Sequence, residues 1–334
     1  MTTSAGEAEA GIRPKLETIW EAQKFLGKYF ARTRLIAAPY LSHRTGKKVY
    51  LKLETELPTG SFKVRGAFYA LAERMKRGRV REVVASSTGN HGAAVACAAK
   101  EFGIAARIFL PANCNPVKRG RIAALGATIV ESGGSDLASA FQLAAEYAKQ
   151  PEVYFLNDAT DTDLPAGPAT IACEILEQLP KVSAIVVPMG DTALIRGIAA
   201  AARQIAPKVK IIGVQAERAP AYYLSWMEGK VVGTETCDTI ADGLATRTPE
   251  AANVRDVKSL VDDVRLVSEE QLLGAIATLL VEERIVGEPA GAASTAALLK
   301  SSEGLGDCPV LIVSGANVSR EVLKRALVAE PKPL

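Results

Sequence analysis

The stretch Thr59-Gly60-Ser61-Phe62-Lys63-Val64-Arg65-Gly66-Ala67 stands between a β-branched run, Val49–Leu53, and a segment with the apolar spacing of a helix. Thr59 or Ser61 can cap that helix, which places Lys63 in its first turn. The positive end of a helix disfavours a charged amine, and the neutral amine is the form that attacks a carbonyl. Taken alone, such a lysine is more often a surface residue, so the rest of the chain decides its role.

Short β-branched runs alternate with alanine-rich helical segments along the chain, which is typical of an α/β protein with mostly parallel sheets flanked by helices. The predicted strands are Val49–Leu53, Val83–Ser86, Arg107–Leu110, Ala127–Glu131, Val153–Leu156, Ala184–Pro188, Ile211–Gln215, Arg265–Val267 and Val310–Ser314. The predicted helices include Phe68–Arg77, Gly92–Phe102, Leu137–Lys149, Thr192–Ile205 and Glu269–Glu283. With 334 residues the chain exceeds one typical core, so one large domain or two closely joined ones are expected.

Three predicted strands run directly into turns of small residues. These turns are Val84-Ala85-Ser86-Ser87-Thr88-Gly89-Asn90-His91-Gly92, Val187-Pro188-Met189-Gly190-Asp191-Thr192-Ala193-Leu194 and Val313-Ser314-Gly315-Ala316-Asn317. In open α/β sheets the carboxyl ends of strands face the ligand crevice, and a helix that starts there offers free N–H groups to phosphates and carboxylates. Each turn alone could be only a tight turn, but the three together with Lys63 indicate an anion-binding crevice. None matches GxGxxG, which argues against a dinucleotide site.

The composition excludes several classes of function. A net charge of +3 and the lack of a long apolar run predict neither a nucleic-acid partner nor a membrane span. The chain has two histidines, His43 and His91, too few for a multi-histidine metal site, and neither lies near a GxSxG turn. Five scattered cysteines favour a reducing cytoplasm. Residues 1–11 are small and acidic, which predicts a disordered tail rather than a signal peptide.

Ser61-Phe62-Lys63-Val64-Arg65-Gly66-Ala67 and Ser87-Thr88-Gly89-Asn90-His91-Gly92 resemble the serine/threonine dehydratase and serine racemase family, which has the tryptophan-synthase-β-like fold called fold type II. Three more motifs match in the expected order: Thr239-Ile240-Ala241-Asp242-Gly243-Leu244, Glu288-Pro289-Ala290-Gly291-Ala292 and Ser314-Gly315-Ala316-Asn317. The resemblance runs from about Ile12 to Leu327. It implies a homodimer whose subunits have two domains, a large one of residues 12–75 and 158–334 and a small mobile one of residues 76–157.

The resemblance also implies pyridoxal 5'-phosphate as the cofactor. Lys63 would hold it as a Schiff base and then move the Cα proton, with Phe62 packed beside the cofactor. Asn90 would hydrogen-bond the 3'-oxygen, and Ser314 would face the pyridine nitrogen. A neutral hydroxyl cannot hold that nitrogen protonated as a carboxylate would, so the ring is a weaker electron sink and loss of a β-substituent is favoured.

The loop of Ser87, Thr88, Gly89 and His91 would bind the carboxylate of the substrate, as the resemblance implies. Racemisation needs a second acid/base on the ring face opposite the lysine, where racemising relatives have serine and purely dehydrating ones tend to have alanine. This chain has Thr88 at that position. Its hydroxyl keeps racemisation open while its methyl group crowds the site, and elimination is favoured.

The chain departs from the family pattern where a run of four glycines usually binds the phosphate. Here the loop is Gly190-Asp191-Thr192-Ala193-Leu194. Backbone N–H groups and the Thr192 hydroxyl can still bind phosphate. Asp191 would repel it unless its carboxylate turns outward, for instance to cap the helix or to pair with Arg196. This loop, with residues 216–224, resembles a subgroup known as hydroxyectoine-utilisation dehydratases.

Two further departures concern the substrate and metal ions. Gly167-Pro168-Ala169-Thr170 replaces the usual Gly-Gln-Gly-Thr, which leaves the identity of the substrate open. Gln215, Ala219 and Ala221 stand where metal-dependent relatives have acidic residues, so no metal is expected by that route.

The function predicted from the sequence is a cytoplasmic pyridoxal-phosphate-dependent lyase. It would eliminate water from a small β-hydroxy amino acid, serine- or threonine-like or derived from hydroxyectoine, to give a 2-oxo acid and ammonia. One alternative is an amino-acid racemase of the serine racemase type. The other is a ligand-binding relative without catalysis, for which Asp191 is the direct hint.

Overall fold

The computed structural model describes residues 13–114, 116–134 and 137–328, and the predicted tail of residues 1–11 lies outside them. The strands are β1 Leu35–Ala37, β2 Tyr50–Leu53, β3 Glu82–Ser86, β4 Ala105–Pro111, β5 Thr128–Ser132, β6 Val153–Phe155, β7 Ala184–Pro188, β8 Lys210–Ala216, β9 Asp263–Val267 and β10 Pro309–Val313. The α-helices are α1 Leu16–Leu26, α2 Pro39–Thr45, α3 Lys63–Arg77, α4 Asn90–Phe102, α5 Pro116–Ala124, α6 Leu137–Tyr147, α7 Ala166–Gln178, α8 Ala193–Ile205, α9 Ala221–Glu228, α10 Ala251–Leu260, α11 Glu269–Val281, α12 Pro289–Lys300 and α13 Arg320–Val328.

The strands form two sheets. The larger sheet has the order β1-β2-β10-β7-β8-β9, and its strands pair in parallel except for the antiparallel pair of β1 and β2. The smaller sheet has the order β5-β4-β3-β6 and is parallel throughout. Parallel neighbours need crossover connections, which is why helices cover the faces of both sheets.

The larger sheet is buried on both faces. Successive side chains of a strand point to opposite sides, so Ile185 and Val187 face a cluster built from α7 and α8, while Val186 faces a cluster built from α11 and α12. All three side chains are fully buried. This explains why β7 is a continuous apolar run rather than an alternating one.

The start of α3 is held in place by close contact with α7. A Cβ atom on Gly167 would lie 2.4 Å from the backbone of Arg65, so only glycine allows the two helices to approach this closely. The contact fixes the first turn of α3, which begins at Lys63.

The fold class predicted from the sequence is confirmed, and each predicted strand overlaps an observed one within two residues at either end. The three-residue strand β1 was not predicted, because it is too short to show a pattern. The predicted cap of α3 is wrong: the N-cap residue is Phe62, and Ser61 instead forms a β-bridge with Gly315. Lys63 lies in the first turn of α3, as the motif predicted, so the helix begins before Phe68, the start given by the apolar spacing.

The strands of the smaller sheet all lie within residues 76–157, the segment predicted to form the small domain. The division into two domains and the mobility of the smaller one stay predictions.

Candidate active site

A cavity of about 800 Å³ lies at the carboxyl ends of strands from both sheets. Such a volume is in the range of small-molecule sites. The structure brings the site residues predicted from the sequence together on its wall: Phe62, Lys63, Ser87, Thr88, Gly89, Asn90, His91, Gly190, Asp191, Thr192, Ala193, Leu194 and Ser314.

Lys63 is the first residue of α3, and its side chain is 17% exposed. Its Nζ atom forms an ion pair with Asp158 and lies 5.2 Å from the centre of the Phe62 ring. The buried ring of Phe62 thus packs beside the amine. The sequence predicted surroundings that disfavour a charged amine, whereas the structure pairs it with a carboxylate.

Asp158 was not identified from the sequence. It follows β6 closely, and its signal was a polar residue after a predicted strand, on the same edge of the sheet as the Ser87–His91 loop. Burial raises the pKa of Asp158, but the charges of Lys63 and His91 outweigh burial and hold that pKa below its usual range. The carboxylate is therefore charged at neutral pH.

His91 lies on the other side of Asp158. Its Nε2 atom is 2.8 Å from the carbonyl oxygen of Leu156, and its Nδ1 atom is 3.7 Å from Oδ1 of Asp158. The ring is buried. His91 thus lines the cavity as predicted, but its nearest polar neighbour there is a carboxylate of the protein.

The Ser87–His91 loop leads from β3 into α4. The helix begins at Asn90, and its N-cap residue Gly89 has no side chain that could occupy the first N–H groups. Those groups are therefore available to an anion in the cavity. Ser87 and Thr88 line the cavity next to them.

Asn90 joins a second polar group that the sequence did not single out. Its Nδ2 atom donates to Oε1 of Glu288 at 2.6 Å, and its Oδ1 atom accepts from Asn317 at 2.7 Å. Burial raises the pKa of Glu288 to about 7, although the hydrogen bonds from Asn90 and the backbone of Asn317 oppose the rise. The motif that begins at Glu288 was noted in the sequence, but nothing in it indicated a carboxyl group facing the cavity.

The Gly190–Leu194 loop leads from β7 into α8. Gly190 packs against the segment at Gly243 so closely that a Cβ atom would lie 2.1 Å from the carbonyl oxygen of Gly243. Thr192 is the N-cap residue in a left-handed conformation with φ of 70°, and its side chain makes no capping hydrogen bond. The first turn of α8 is therefore as open to an anion as that of α4.

Asp191 does not behave as either of the two suggested possibilities. Its Oδ1 atom accepts a hydrogen bond of 2.9 Å from Thr246 and does not cap α8. Arg196 donates instead to the hydroxyl of Thr192 at 3.1 Å. Burial, and then the nearby charge of Asp158, raise the pKa of Asp191. The carboxyl group lines the cavity rather than turning outward.

Ser314 directly follows β10 and is buried. Its backbone carbonyl accepts a hydrogen bond of 3.0 Å from the N–H group of Phe62, which ties this strand end to the start of α3. Its side chain lines the cavity as a neutral hydroxyl.

Residues 27–315 match the family described as pyridoxal-phosphate dependent enzyme. The L-threonine ammonia-lyase of Thermotoga maritima is 37% identical over 312 residues, which cover 93% of this chain and 78% of that protein. The solved processed form of threonine deaminase isoform 2 from Solanum lycopersicum has a TM-score of 0.87 at 28% identity, with 96% of this chain and 90% of that chain covered. Maize serine racemase has a TM-score of 0.85 at 29% identity, with 96% and 97% covered. The chain therefore belongs to the pyridoxal-phosphate dependent enzyme family.

Proposed function

We propose that the chain is an ammonia-lyase that removes water from a β-hydroxy amino acid and releases a 2-oxo acid and ammonia. The observation that carries the proposal is that Lys63 and the open N-termini of α4 and α8 meet in one cavity. An amine that can bind an aldehyde and two separate anion sites match the cofactor aldehyde, the cofactor phosphate and the substrate carboxylate. The similarity to the threonine ammonia-lyase of Thermotoga maritima supports the same chemistry.

The residues of the cavity fit pyridoxal phosphate. The amino end of α8, at Ala193, would bind the phosphate through N–H groups that no side chain caps. Lys63 would hold the aldehyde carbon as a Schiff base, Asn90 would bind the 3'-oxygen, and the Ser314 hydroxyl would face the pyridine nitrogen. When bound, the cofactor supplies an electron sink that eases the breaking of bonds at the substrate Cα.

The Ser87–His91 loop would bind the substrate carboxylate. The N–H groups at the start of α4 carry the partial positive charge of the helix end, and the short side chains of Ser87 and Thr88 leave them accessible. A carboxylate bound there would hold the substrate in the cavity that Lys63 also lines, and Lys63 would accept and return the Cα proton.

An amino-acid racemase is the second candidate, and it is favoured by one observation besides the similarity to maize serine racemase. Thr88 lines the cavity with a hydroxyl that could deliver a proton to the face of Cα opposite Lys63. The neutral Ser314 hydroxyl weakens the electron sink, and this supports elimination as the main reaction.

A ligand-binding relative without catalysis remains the third candidate, and Asp191 is its only hint. A charged carboxyl group beside the phosphate site would oppose the phosphate dianion. Asp191 accepts a hydrogen bond from Thr246, and burial raises the pKa of its carboxyl group, so it is protonated more easily than an ordinary aspartate. Both observations support cofactor binding in spite of the departure from glycine.

We further propose that the enzyme works as a homodimer in the cytoplasm, with the segment of residues 76–157 closing over the substrate. Closure would exclude water from the reacting atoms. Among the residues that the structure describes, no helix combines the length and apolarity needed to cross a bilayer.

A substrate screen tests the proposal. Purified protein loaded with pyridoxal phosphate should show a band near about 410–420 nm, which disappears on borohydride reduction, as expected for an imine at a lysine. Serine, threonine, hydroxyaspartate and hydroxylated diamino acids are then assayed for release of a 2-oxo acid, with chiral analysis of the remaining amino acid. Release of a 2-oxo acid supports the lyase. Inversion without release supports the racemase, and an imine band without either reaction supports the ligand-binding relative.

A further inference from the structure

Asp158 is a carboxyl group of the cavity whose set of hydrogen-bond partners is incomplete. Its Oδ2 atom pairs with Nζ of Lys63, while its Oδ1 atom is buried and has no hydrogen-bond partner among the described residues. Of the other three carboxyl groups on the cavity wall, Glu288 accepts at both oxygens from Asn90 and Asn317, and Asp191 accepts from Thr246. The third, Asp242, is exposed and pairs with Lys118. Asp158 therefore depends on a cation more than Glu288 or Asp191 does, and water reaches it less than it reaches Asp242.

That compensation is lost once Lys63 is engaged elsewhere. If Lys63 holds the cofactor, as the proposed function requires, its amine is no longer a free ammonium group. A buried carboxylate without a cation is strongly unfavourable, so Asp158 requires a new positive partner at the position of Nζ. Every amino-acid substrate carries an ammonium group, and its nitrogen has to reach that same position to replace Lys63.

The surroundings of His91 point to a proton acceptor at Asp158. A carbonyl oxygen only accepts hydrogen bonds, so the Leu156 carbonyl requires a hydrogen on Nε2 of His91. The Nδ1 atom then carries either a lone pair or a second hydrogen, and it is buried without a partner in the described part of the chain while facing Oδ1 of Asp158 at 3.7 Å. A lone pair facing a carboxylate is unfavourable, and a proton on either atom relieves the repulsion. The pair is thus built to take up one proton.

We propose that Asp158, backed by His91, binds the ammonium group of the amino-acid substrate and takes the proton that this group must lose before its nitrogen can react. This inference rests on the proposed chemistry at Lys63 but not on the identity of the leaving group. An N–H bond of the substrate breaks and an O–H bond forms at Asp158, with His91 sharing the proton. Lys63 is released as a neutral amine, so it can take the Cα proton. Asp158 keeps its proton until Lys63 holds the cofactor again, and then returns it to the nitrogen of the product, which restores the charged carboxylate. No external acid or base is consumed.

The charged groups that face Asp158 come from several elements. They are Lys63 at the start of α3, His91 on α4, Asp191 before α8 and Arg196 on α8. Removal of the Asp158 charge leaves these groups in place, so its effect on the pH dependence of substrate binding can be assigned to Asp158.

The test follows the change in the cofactor band when the loaded enzyme is mixed rapidly with glycine or L-serine at a series of pH values. Glycine has no β-substituent to lose, so its signal reports nitrogen exchange without elimination. At neutral pH we expect Asp158→Asn to slow the change about 10²-fold or more, as for loss of a proton acceptor. The variant then depends on amine that is already neutral in solution, so its rate should rise about tenfold per pH unit and approach the wild-type rate at high pH.

Matched variants separate proton transfer from a structural effect. Asp158→Glu keeps a carboxylate and should restore part of the neutral-pH rate. Asp163→Asn changes an aspartate of the same loop that pairs with Arg77 outside the cavity, and it should match wild type. His91→Gln keeps a donor for the Leu156 carbonyl but removes Nδ1, and it should slow the change about tenfold.

Three results would overturn the inference. In the first, Asp158→Asn is slowed by the same factor at every pH. In the second, Asp158→Asn matches wild type. In the third, Asp158→Asn fails to take up the cofactor, while Asp158→Glu takes it up normally but its cofactor band changes no faster on mixing with glycine than expected for loss of the proton acceptor. An unchanged rate in His91→Gln would remove the part assigned to His91. None of these results depends on whether any β-hydroxy amino acid yields a 2-oxo acid, so failure of the proposed lyase activity would be seen separately.

Discussion

Two charged clusters lie on opposite sides of the first turn of α3, and they differ in how completely they are paired. Behind the helix, Arg65 donates to Glu54 at 2.7 and 2.9 Å and to Glu174 at 2.6 Å, while Lys52 donates to Glu174 at 2.5 Å. Two cations balance two anions, and none of these side chains has a buried atom without a partner. We call this set the Arg65 cluster.

On the cavity side of the helix, several buried polar atoms are unpaired. Buried side-chain atoms without a hydrogen-bond partner in the described part of the chain include those of Thr59, Ser86, His91 and Asp158, and all four residues line the cavity. Buried polar groups are nearly always paired, so a concentration of unpaired ones is a cost that a structural site does not need. Lys63 and Arg65 are two residues apart in the sequence. Lys63 faces the cavity with its unpaired polar groups, whereas Arg65 belongs to a cluster in which every charged group is paired.

The largest expected effect is on the open side. Lys63→Ala removes the amine that would hold the cofactor and move the Cα proton, so turnover should fall by on the order of 10³-fold or more. The band near about 410–420 nm should also be absent, because no lysine imine can form. Residual activity above a few per cent, measured as 2-oxo acid release, would remove Lys63 from its central role. A melting temperature close to wild type shows that the fold is retained.

The next largest effect is on the closed side. Arg65→Met leaves Glu54 and Glu174 buried with only Lys52 to compensate them, and loss of one partner of a buried ion pair costs about 3–5 kcal/mol. Burial lowers the pKa of Arg65, but the two glutamates raise it above its usual value, so the group removed is a charged one. We expect the free energy of unfolding, measured by urea denaturation, to fall by that amount.

The control for this prediction is a surface pair. Arg34 pairs with Glu56, and its side chain is 66% exposed, so Arg34→Met should leave the denaturation midpoint unchanged. If Arg65→Met were as mild as this control, the Arg65 cluster would not be the structural counterpart of the cavity.

Glu288 tests whether burial in the cavity wall destabilises a charged carboxylate. Its pKa is raised to about 7 from an ordinary 4.5, because it is buried. The folded protein therefore binds the proton more tightly than the unfolded chain, and the stabilising contribution of this proton is fully present below pH 4.5 and lost as pH rises through about 7. The shift corresponds to about 3 kcal/mol.

In Glu288→Gln this titration is absent. We expect the stability of cofactor-free wild type to fall by about 3 kcal/mol relative to the variant as pH rises from 4.5 to above 7. Urea denaturation at several pH values measures the difference, with the exposed Glu235→Gln as the control. Parallel pH profiles of wild type and Glu288→Gln would mean that Glu288 is not held in an unfavourable environment.

The sequence predicted the parts of this arrangement that follow from local pattern. A strand that runs into a small-residue turn gives the position of Asn90 or Ser314, because parallel strands end at one edge of a sheet. The sequence could not select Asp158, because Asp161 and Asp163 lie in the same segment. Only the folded structure shows that Asp158, of the three, contacts Lys63. A contact between residues that are far apart in the chain leaves no local pattern in the sequence.

The same reason explains the misjudged Asp191. Its partner is Thr246, 55 positions further along the chain, and the contact arises because the loop after β7 packs against the segment that follows Ala241. The nearby Arg196, which local spacing suggested, is used by Thr192 instead. Tertiary contacts, and not helix spacing, decide which donor reaches a buried carboxyl group.

Asp191→Gly is the smallest expected effect and sharpens the comparison at the phosphate end of the cavity. Burial and Asp158 raise the pKa of Asp191, and whatever charge its carboxyl group carries opposes the phosphate. Its removal should therefore leave the affinity for pyridoxal phosphate unchanged or raise it by up to about tenfold. The gain should grow as pH rises, because the wild-type carboxyl group becomes more negatively charged and opposes the phosphate more strongly. Absorbance titration with pyridoxal, which lacks the phosphate, provides the matched control and should show no gain. A marked loss of affinity for pyridoxal phosphate, without a loss for pyridoxal, would mean that the hydrogen bond between Asp191 and Thr246 shapes the loop that binds the phosphate. The uncapped N-terminus of α8 would then depend on a fully paired polar contact, as the start of α3 does on the Arg65 cluster.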